Sequence, residues 1–458
     1  MRGACTCLLV LAASTLTAAG DTNAPARPKI LFNRWQEDWS VLTSPAVARE
    51  PLDDLKYIPL RADTYLSLGA NLRERFEAKD AVNFGVNGAK PQDYVISRLE
   101  THADLRLGDQ VQAFVQLESE FSPGKKVLTP VDQNRLDLEQ AFVALTERVG
   151  QGLLRLRVGR QQIGFDLQRF ISVRDGPNVR QSYDALWADY ELADWRIIAF
   201  YSQPVSNRDR RAFDDFSSPH LTYGGIRAEY RLSENSSLSA YVSQFRQDGA
   251  HFVSIAGNER RDILDIRFTG NKSWFDWDAE VMGQSGRIAG ERIRAWAVGS
   301  RAGYTWDGNW KPRLGIQLDA ASGDSNPLDR TLGTFNPLFP NGYYLSLAGY
   351  TGYTNFIHVK PSVTVKPMTN LSAMIAVAAQ WRETTADAIY TQPNIPVAGT
   401  AGRGGSYTGT YLQARFDWQV TEHFTTALEA VRFQVADSIR QADGHDGSYL
   451  GVEGKIGW

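Results

Sequence analysis

Arginine recurs in this 458-residue chain at even spacings within stretches that read as extended: Arg73 and Arg75, Arg98 and Arg106, Arg155 and Arg157, Arg227 and Arg231, Arg261 and Arg267, then Arg301, Arg313, Arg382 and Arg415. Carboxylates fall on the same parity, among them Glu77, Glu100, Asp104, Glu118, Glu120, Asp278, Glu280, Asp417 and Glu453. Even spacing places such residues on one face of a strand. A guanidinium forks onto a carboxylate in two-point contact, so a wall lined in this way suits an anionic solute bearing carboxylates. The alternative for each residue is a ladder in which arginines and acids satisfy one another across neighbouring strands.

A second group lies in the glycine-punctuated run Gly159–Asp184, where Arg160, Arg169, Arg174, Arg180 and Asp184 stand in or beside a long loop. Loops with their own turn chemistry that fold into the mouth of a barrel form its constriction. Glu139 precedes this run in an extended stretch. Catalytic patterns are weak by comparison. The six histidines show no HExxH spacing, and Ser172, Ser182 and Ser243 lie in no GxSxG context. Asp214 and Asp215 stand among Arg208, Arg210 and Arg211 and read as solvated charge. Neither catalytic residues nor a cofactor or metal site are expected.

The elements that must position the arginines are strands. From Tyr65 to the end of the chain apolar and polar residues alternate, as in Leu66, Leu68, Ala70 and Leu72 against Ser67, Gly69, Asn71 and Arg73. About 18 such segments reach the roughly 9 to 11 residues of a tilted membrane strand. Eight short connections alternate with nine mostly longer ones, the latter including Lys79–Gln92, Gln162–Gln181, Gln247–Asn258, Ser285–Gly290 and Ser322–Gly352. That rhythm predicts an all-β, up-and-down antiparallel transmembrane barrel with short periplasmic turns and long extracellular loops. Trp274, Trp277, Trp306, Trp310, Trp418 and Phe424 cluster at the short turns, as an interfacial girdle would. The last strand, Ser448–Trp458, sets Leu450, Val452 and Ile456 against Gly451, Glu453 and Lys455; it should pair with the strand near Tyr65, placing Glu453 and Lys455 beside Arg73 and Arg75.

Residues 1–20 carry Arg2, an apolar run and small residues, the layout of a secretory signal peptide, and both cysteines, Cys5 and Cys7, fall inside it. Without it the chain has 48 Lys and Arg against 52 Asp and Glu, which excludes a polycation built to coat nucleic acid. Residues 21–62, with five prolines and no sustained alternation, read as an irregular periplasmic lead-in containing a short helix over Asn33–Val41, and 63–458 as the barrel.

Several blocks then resemble a known family. Glu37-Asp38-Trp39-Ser40, Asn71-Leu72-Arg73-Glu74-Arg75-Phe76-Glu77, Leu136–Val143, Val158-Gly159-Arg160-Gln161, Gly176–Arg180, Ala321–Asp324 and Phe335–Pro340 are similar to the bacterial alginate export domain proteins. The resemblance implies an 18-stranded barrel in the bacterial outer membrane that passes an anionic polyuronate through an arginine-lined pore, with outer-membrane lipid and the saccharide as partners and periplasmic export machinery as a further one. Arg73, Arg75, Glu139, Arg160 and Arg180 are the charged positions inside matched blocks. An outer-membrane hydrolase, a soluble lectin-like β protein and a general diffusion porin are the alternatives. Trp458 at the chain end is expected to serve the membrane-insertion machinery.

Overall fold

The computed structural model describes residues 26–458, so the predicted leader lies outside the described residues. Eighteen long strands close into one antiparallel barrel. They are β1 Thr64–Lys79, β2 Gln92–Leu107, β3 Val111–Phe121, β4 Asn134–Val149, β5 Gly152–Gln161 and β6 Tyr183–Leu192. Next come β7 Trp195–Ser206, β8 Leu221–Ser233, β9 Ser236–His251, β10 Ala256–Lys272, β11 Phe275–Ile288 and β12 Glu291–Thr305. The last six are β13 Arg313–Ala321, β14 Phe356–Met368, β15 Leu371–Trp381, β16 Tyr407–Gln419, β17 Phe424–Val435 and β18 Gly447–Gly457. Each pairs with its sequence neighbours, and β1 pairs with β18 from Asn71 opposite Gly457 to Lys79 opposite Tyr449. Closure leaves no edge among the eighteen barrel strands, so the ladder satisfies its own backbone groups, each of which would cost several kcal/mol if left unpaired in hydrocarbon.

The alternation in the sequence becomes the two faces of the wall. On β10, Leu264, Ile266 and Phe268 are exposed on the outside while Ile263 and Asp265 are buried within. Trp274, Phe275, Tyr304, Trp306, Trp310, Trp418 and Phe424 form an exposed aromatic collar at the short-turn end. Two expected loops shrink to hairpins. Strands β9 and β10 run on to His251 and Ala256, and β11 and β12 are joined only through Ala289 and Gly290, both at positive φ. Alternation continues through Ser285, Arg287 and Arg292, so polar residues there extend the strands instead of ending them.

The lumen is filled rather than open. Loop 162–182, between β5 and β6, and loop 322–355, between β13 and β14, fold inward and meet at a bridge between Ile171 and Phe339. Phe170 packs edge-on against Phe335 at 5.4 Å and Tyr353 at 5.0 Å. Tyr183 of the wall meets Phe339 at 5.3 Å. These rings join buried Phe200, Tyr223, Phe245 and Met282 in one internal core.

Residues 26–57 enter the lumen from the turn end. The helix expected over Asn33–Val41 is replaced by two 3-10 turns, Arg34–Gln36 and Ser40–Thr43. The carbonyls that a helix would use internally are taken by the wall: Arg106 donates to Trp35 O at 2.7 Å and Glu37 O at 2.8 Å, and Gln112 donates to Trp35 O at 2.8 Å. A short helix, Asp53–Lys56, and a strand, Ile58–Arg61, lead into β1.

Candidate functional site: a charged constriction inside the barrel

Register places three cations side by side on adjacent strands, since Arg73 of β1 stands opposite both Lys455 of β18 and Arg98 of β2. Like charges directly opposite repel, and loop 162–182 supplies the compensation. Its Asp175 carboxylate accepts from Arg98 and Arg180 at 2.8 Å each and lies 3.6 Å from Lys455 Nζ, while Arg73 donates to the Asp175 carbonyl at 2.9 Å. Asn178 fixes the loop to the wall by donating to the carbonyls of Ser97, Phe121 and Asp132 at 3.0 to 3.1 Å.

The neighbouring arginines are just as fully engaged. Arg75 meets Glu77 at 2.7 Å, Glu429 at 2.5 Å and Glu453 at 3.2 Å, with its guanidinium 5.1 Å from the Tyr343 ring of loop 322–355. Arg73 bonds Glu453 at 2.7 Å. Arg180 spans Asp175, Glu100 and Glu139, the last at 3.1 Å. Arg415 bonds Asp417 at 2.7 Å and Glu429. Thus Arg73, Arg75, Arg98, Arg180, Arg415 and Glu139 are drawn into one network around the loop tip.

Other candidates stand elsewhere. Arg155 sits near the turn end, half-exposed and paired with Glu191 at 2.9 Å. Arg157 faces inward, with its guanidinium 4.4 Å from Trp35 and 5.1 Å from Trp187. Arg174 braces the two inward loops, 5.4 Å from the Phe339 ring and donating to the Leu338 carbonyl at 3.2 Å. Arg160 and Asp184 do not join the lumen. Each shares the parity of exposed outward residues, Leu156 and Val158 on β5 and Leu186 on β6, and the two bond each other across the strands at 2.9 Å. Neither Arg160's place in a matched block nor Asp184's place beside the long loop changes the strand parity that turns them outward.

The lead-in reaches the same constriction from below. The Phe32 ring lies 4.5 Å from the Arg180 guanidinium, and Trp35 packs edge-on against Phe142 at 5.8 Å. Buried Arg34 anchors the segment, donating to Glu37 at 2.6 Å, Asn71 Oδ1 at 2.6 Å and the Trp458 carbonyl at 2.8 Å. Lys56 is packed between the rings of Trp39 and Trp458 at 5.1 and 5.7 Å. Burial, reinforced by Arg34 and Arg27 and opposed by Glu37 and Asp53, pushes its ammonium down to about 7. The space exists because residue 69 is glycine: a Cβ there would stand 2.7 Å from Lys56 Nζ and 2.4 Å from the His102 ring.

On the other side of the lumen, between β8 and β13, a hollow of about 740 Å³ opens at the turn end. Arg231, Arg267, Arg301 and Arg313 line it with Glu229 and Asp276, and Leu167 of the inward loop lies at its edge. Among the described residues, one group of carboxylates, Asp137, Asp214 and Asp215, lies close enough to share a cation. Asp137 and Asp215 already accept from Asp215 N at 3.0 Å and Asn134 at 2.9 Å, and Arg160 supplies positive charge 3.6 Å from Asp137.

The sequence reading missed Asp175, Tyr343 and the lead-in residues. Asp175 was visible inside the arginine-rich loop, whereas nothing in the lead-in's irregular pattern signals that it turns into the lumen.

A closed 18-strand barrel with an apolar aromatic-collared exterior and a charged interior defines an outer-membrane channel, with its short turns periplasmic. The sequence profile of the Alginate export family matches residues 64–453, and the chain belongs to that family. No curated relative matches the chain in sequence. Solved structures share the fold at low identity. OccAB1 of Acinetobacter baumannii is 12% identical with a TM-score of 0.58, the match covering 89% of this chain and 99% of that one. OccK2 (OpdF) of Pseudomonas aeruginosa, solved in complex with glucuronate, is 13% identical with a TM-score of 0.55, over 86% and 96% of the two chains. OccK11 (OpdR) of the same organism is 11% identical with a TM-score of 0.55, over 86% and 95%.

Proposed function

We propose that the channel passes a polyuronate or related small carboxylate-bearing anions, driven by the solute's gradient, with the arginines of the constriction as its contacts. The observation that carries this reading is the convergence of Arg73, Arg98, Arg180 and Lys455 on a single loop residue, Asp175, inside the lumen. A uronate carboxylate can take over such a contact, so the guanidinium is never left unpaired during passage. Asp175 sits on a loop and is the partner most readily exchanged, because its withdrawal removes one shared carboxylate from Arg98, Arg180 and Lys455 while Glu100, Glu139 and Glu453 of the wall stay in place. The uronate complex of OccK2 supports this class of solute by analogy of fold. Arg267, Arg301 and Arg313 in the periplasmic hollow would receive the anion first.

The test is block of single-channel current by periplasmic-side oligouronates, compared with neutral oligosaccharides of equal length. Block by the uronates alone, weakened by Arg98→Gln, is the expected result. Equal block by neutral sugars would leave a general diffusion porin.

A further inference from the structure

A second row of arginines lies outside the barrel. Arg246 of β9 stands opposite Arg260 of β10, Arg260 opposite Arg287 of β11, and Arg287 opposite Arg292 of β12. All four are exposed and share the parity of the lipid-facing residues Val242, Leu264, Val281 and Trp296 on the same strands. Arg294 follows one step lower on β12. The row lies at the extracellular end of its strands, just above the apolar belt.

Four like charges directly opposite one another across adjacent strands are mutually repulsive. Inside the lumen the comparable row of Lys455, Arg73 and Arg98 is compensated by Asp175 and Glu453. Outside, compensation is nearly absent. Arg260 is 3.3 Å from Asp262, which also accepts from Gln244, and Arg246 donates to Gln244. Arg287 reaches only the Gly290 carbonyl at 3.3 Å, and among the described residues Arg246, Arg287, Arg292 and Arg294 have no acidic partner. The nearby Asp248 is taken by His220 at 2.6 Å. By contrast, exposed Arg432 on the opposite side of the barrel has both Asp80 and Asp446 within 4 Å, at 3.9 and 3.7 Å.

Immediately below the row the outer wall is grooved. A hollow of about 760 Å³ runs over Gly224, Ile226, Val242, Leu264 and Gly283 and ends at Arg294. A Cβ at Gly283 would meet no atom within 4 Å, so the missing side chain leaves open space. Arginines that need anions, set above an apolar channel at the extracellular rim, match an amphiphile with phosphates on its headgroup and acyl chains beneath.

We propose that this face holds a phosphorylated glycolipid of the outer leaflet, an acylated glucosamine disaccharide whose phosphates bridge Arg246, Arg260, Arg287 and Arg292 while one acyl chain lies in the groove at Gly283. Native mass spectrometry of the full chain in detergent, titrated with diphosphorylated lipid A, tests this directly. The expected result is retained lipid on the native protein and about tenfold or weaker retention on Arg260→Gln/Arg287→Gln, as loss of two charge-assisted contacts implies. Gly283→Phe, which keeps every charge and fills the groove, should also lower occupancy, and Arg432→Gln should leave it unchanged. Heat-modifiable gel mobility verifies that each variant is folded. Equal occupancy on the double variant, equal binding of fully dephosphorylated lipid A, or complete displacement by millimolar inorganic phosphate would each overturn the proposal.

Discussion

Arg75 shows how the lumen is ordered residue by residue. Its guanidinium is buried among three carboxylates, Glu77, Glu429 and Glu453, and removing it would leave uncompensated charge inside the wall. Breaking such buried pairs costs about 3 to 5 kcal/mol. Arg75→Ala should therefore lower stability by roughly 3 kcal/mol in detergent unfolding, and Arg75→Lys should restore only part of it, since an ammonium cannot fork onto several acids at once. Unchanged unfolding of Arg75→Ala would show the network to be dispensable. Lys56 makes a separate prediction. Its docked value of about 7 lies below the ordinary 10.5, so the undocked lead-in binds more protons between those values. Docking is weakest at and below about pH 7 and strengthens as pH rises toward 10. Channel openings should grow rarer from pH 7 to pH 9, and Lys56→Met should flatten that dependence.

At the scale of elements, legibility followed alternation. Arg73, Arg75 and Arg98 could be placed on the inner face from the sequence because period-2 patterning fixes the face of every residue in a strand. Arg160 stands in a matched block and Asp184 beside the long loop, but both share the parity of Leu156, Val158 and Leu186, and that parity decides their face. The lead-in has no periodic signal: its position rests on single contacts to remote residues, such as Arg34 with Asn71 and Trp458, which no local pattern encodes. The inward course of loop 322–355 is likewise set by distant rings, with Tyr183 and Phe245 of the wall receiving Phe339. These contacts predict the effect of removal. Deleting residues 26–57 should raise single-channel conductance several-fold while the heat-modifiable barrel persists, and unchanged conductance would mean that the segment obstructs nothing.

At the scale of the molecule, closure joins the first and last strands of the barrel. Trp458 N donates to Ala70 O and Trp458 O accepts from Ala70 N, so the last residue completes the seam between β1 and β18 as well as receiving Arg34. Deleting Trp458 should reduce the assembled fraction in the outer membrane far more than the conductance of the molecules that do assemble. Normal assembly without it would remove any role in insertion. The interior is a set of paired charges, and under the proposed function a passing carboxylate replaces the acids that hold the arginines. On that proposal, selectivity rests on the positive charge of Arg73, Arg75 and Arg180.

The reversal potential in a salt gradient across planar bilayers measures this most directly, taken on the full chain and on the protein lacking residues 26–57. Both should favour anions, and joint replacement of Arg73, Arg75 and Arg180 by glutamine should shift the potential toward zero. A preference for cations, or an anion preference untouched by the triple replacement, would contradict the account.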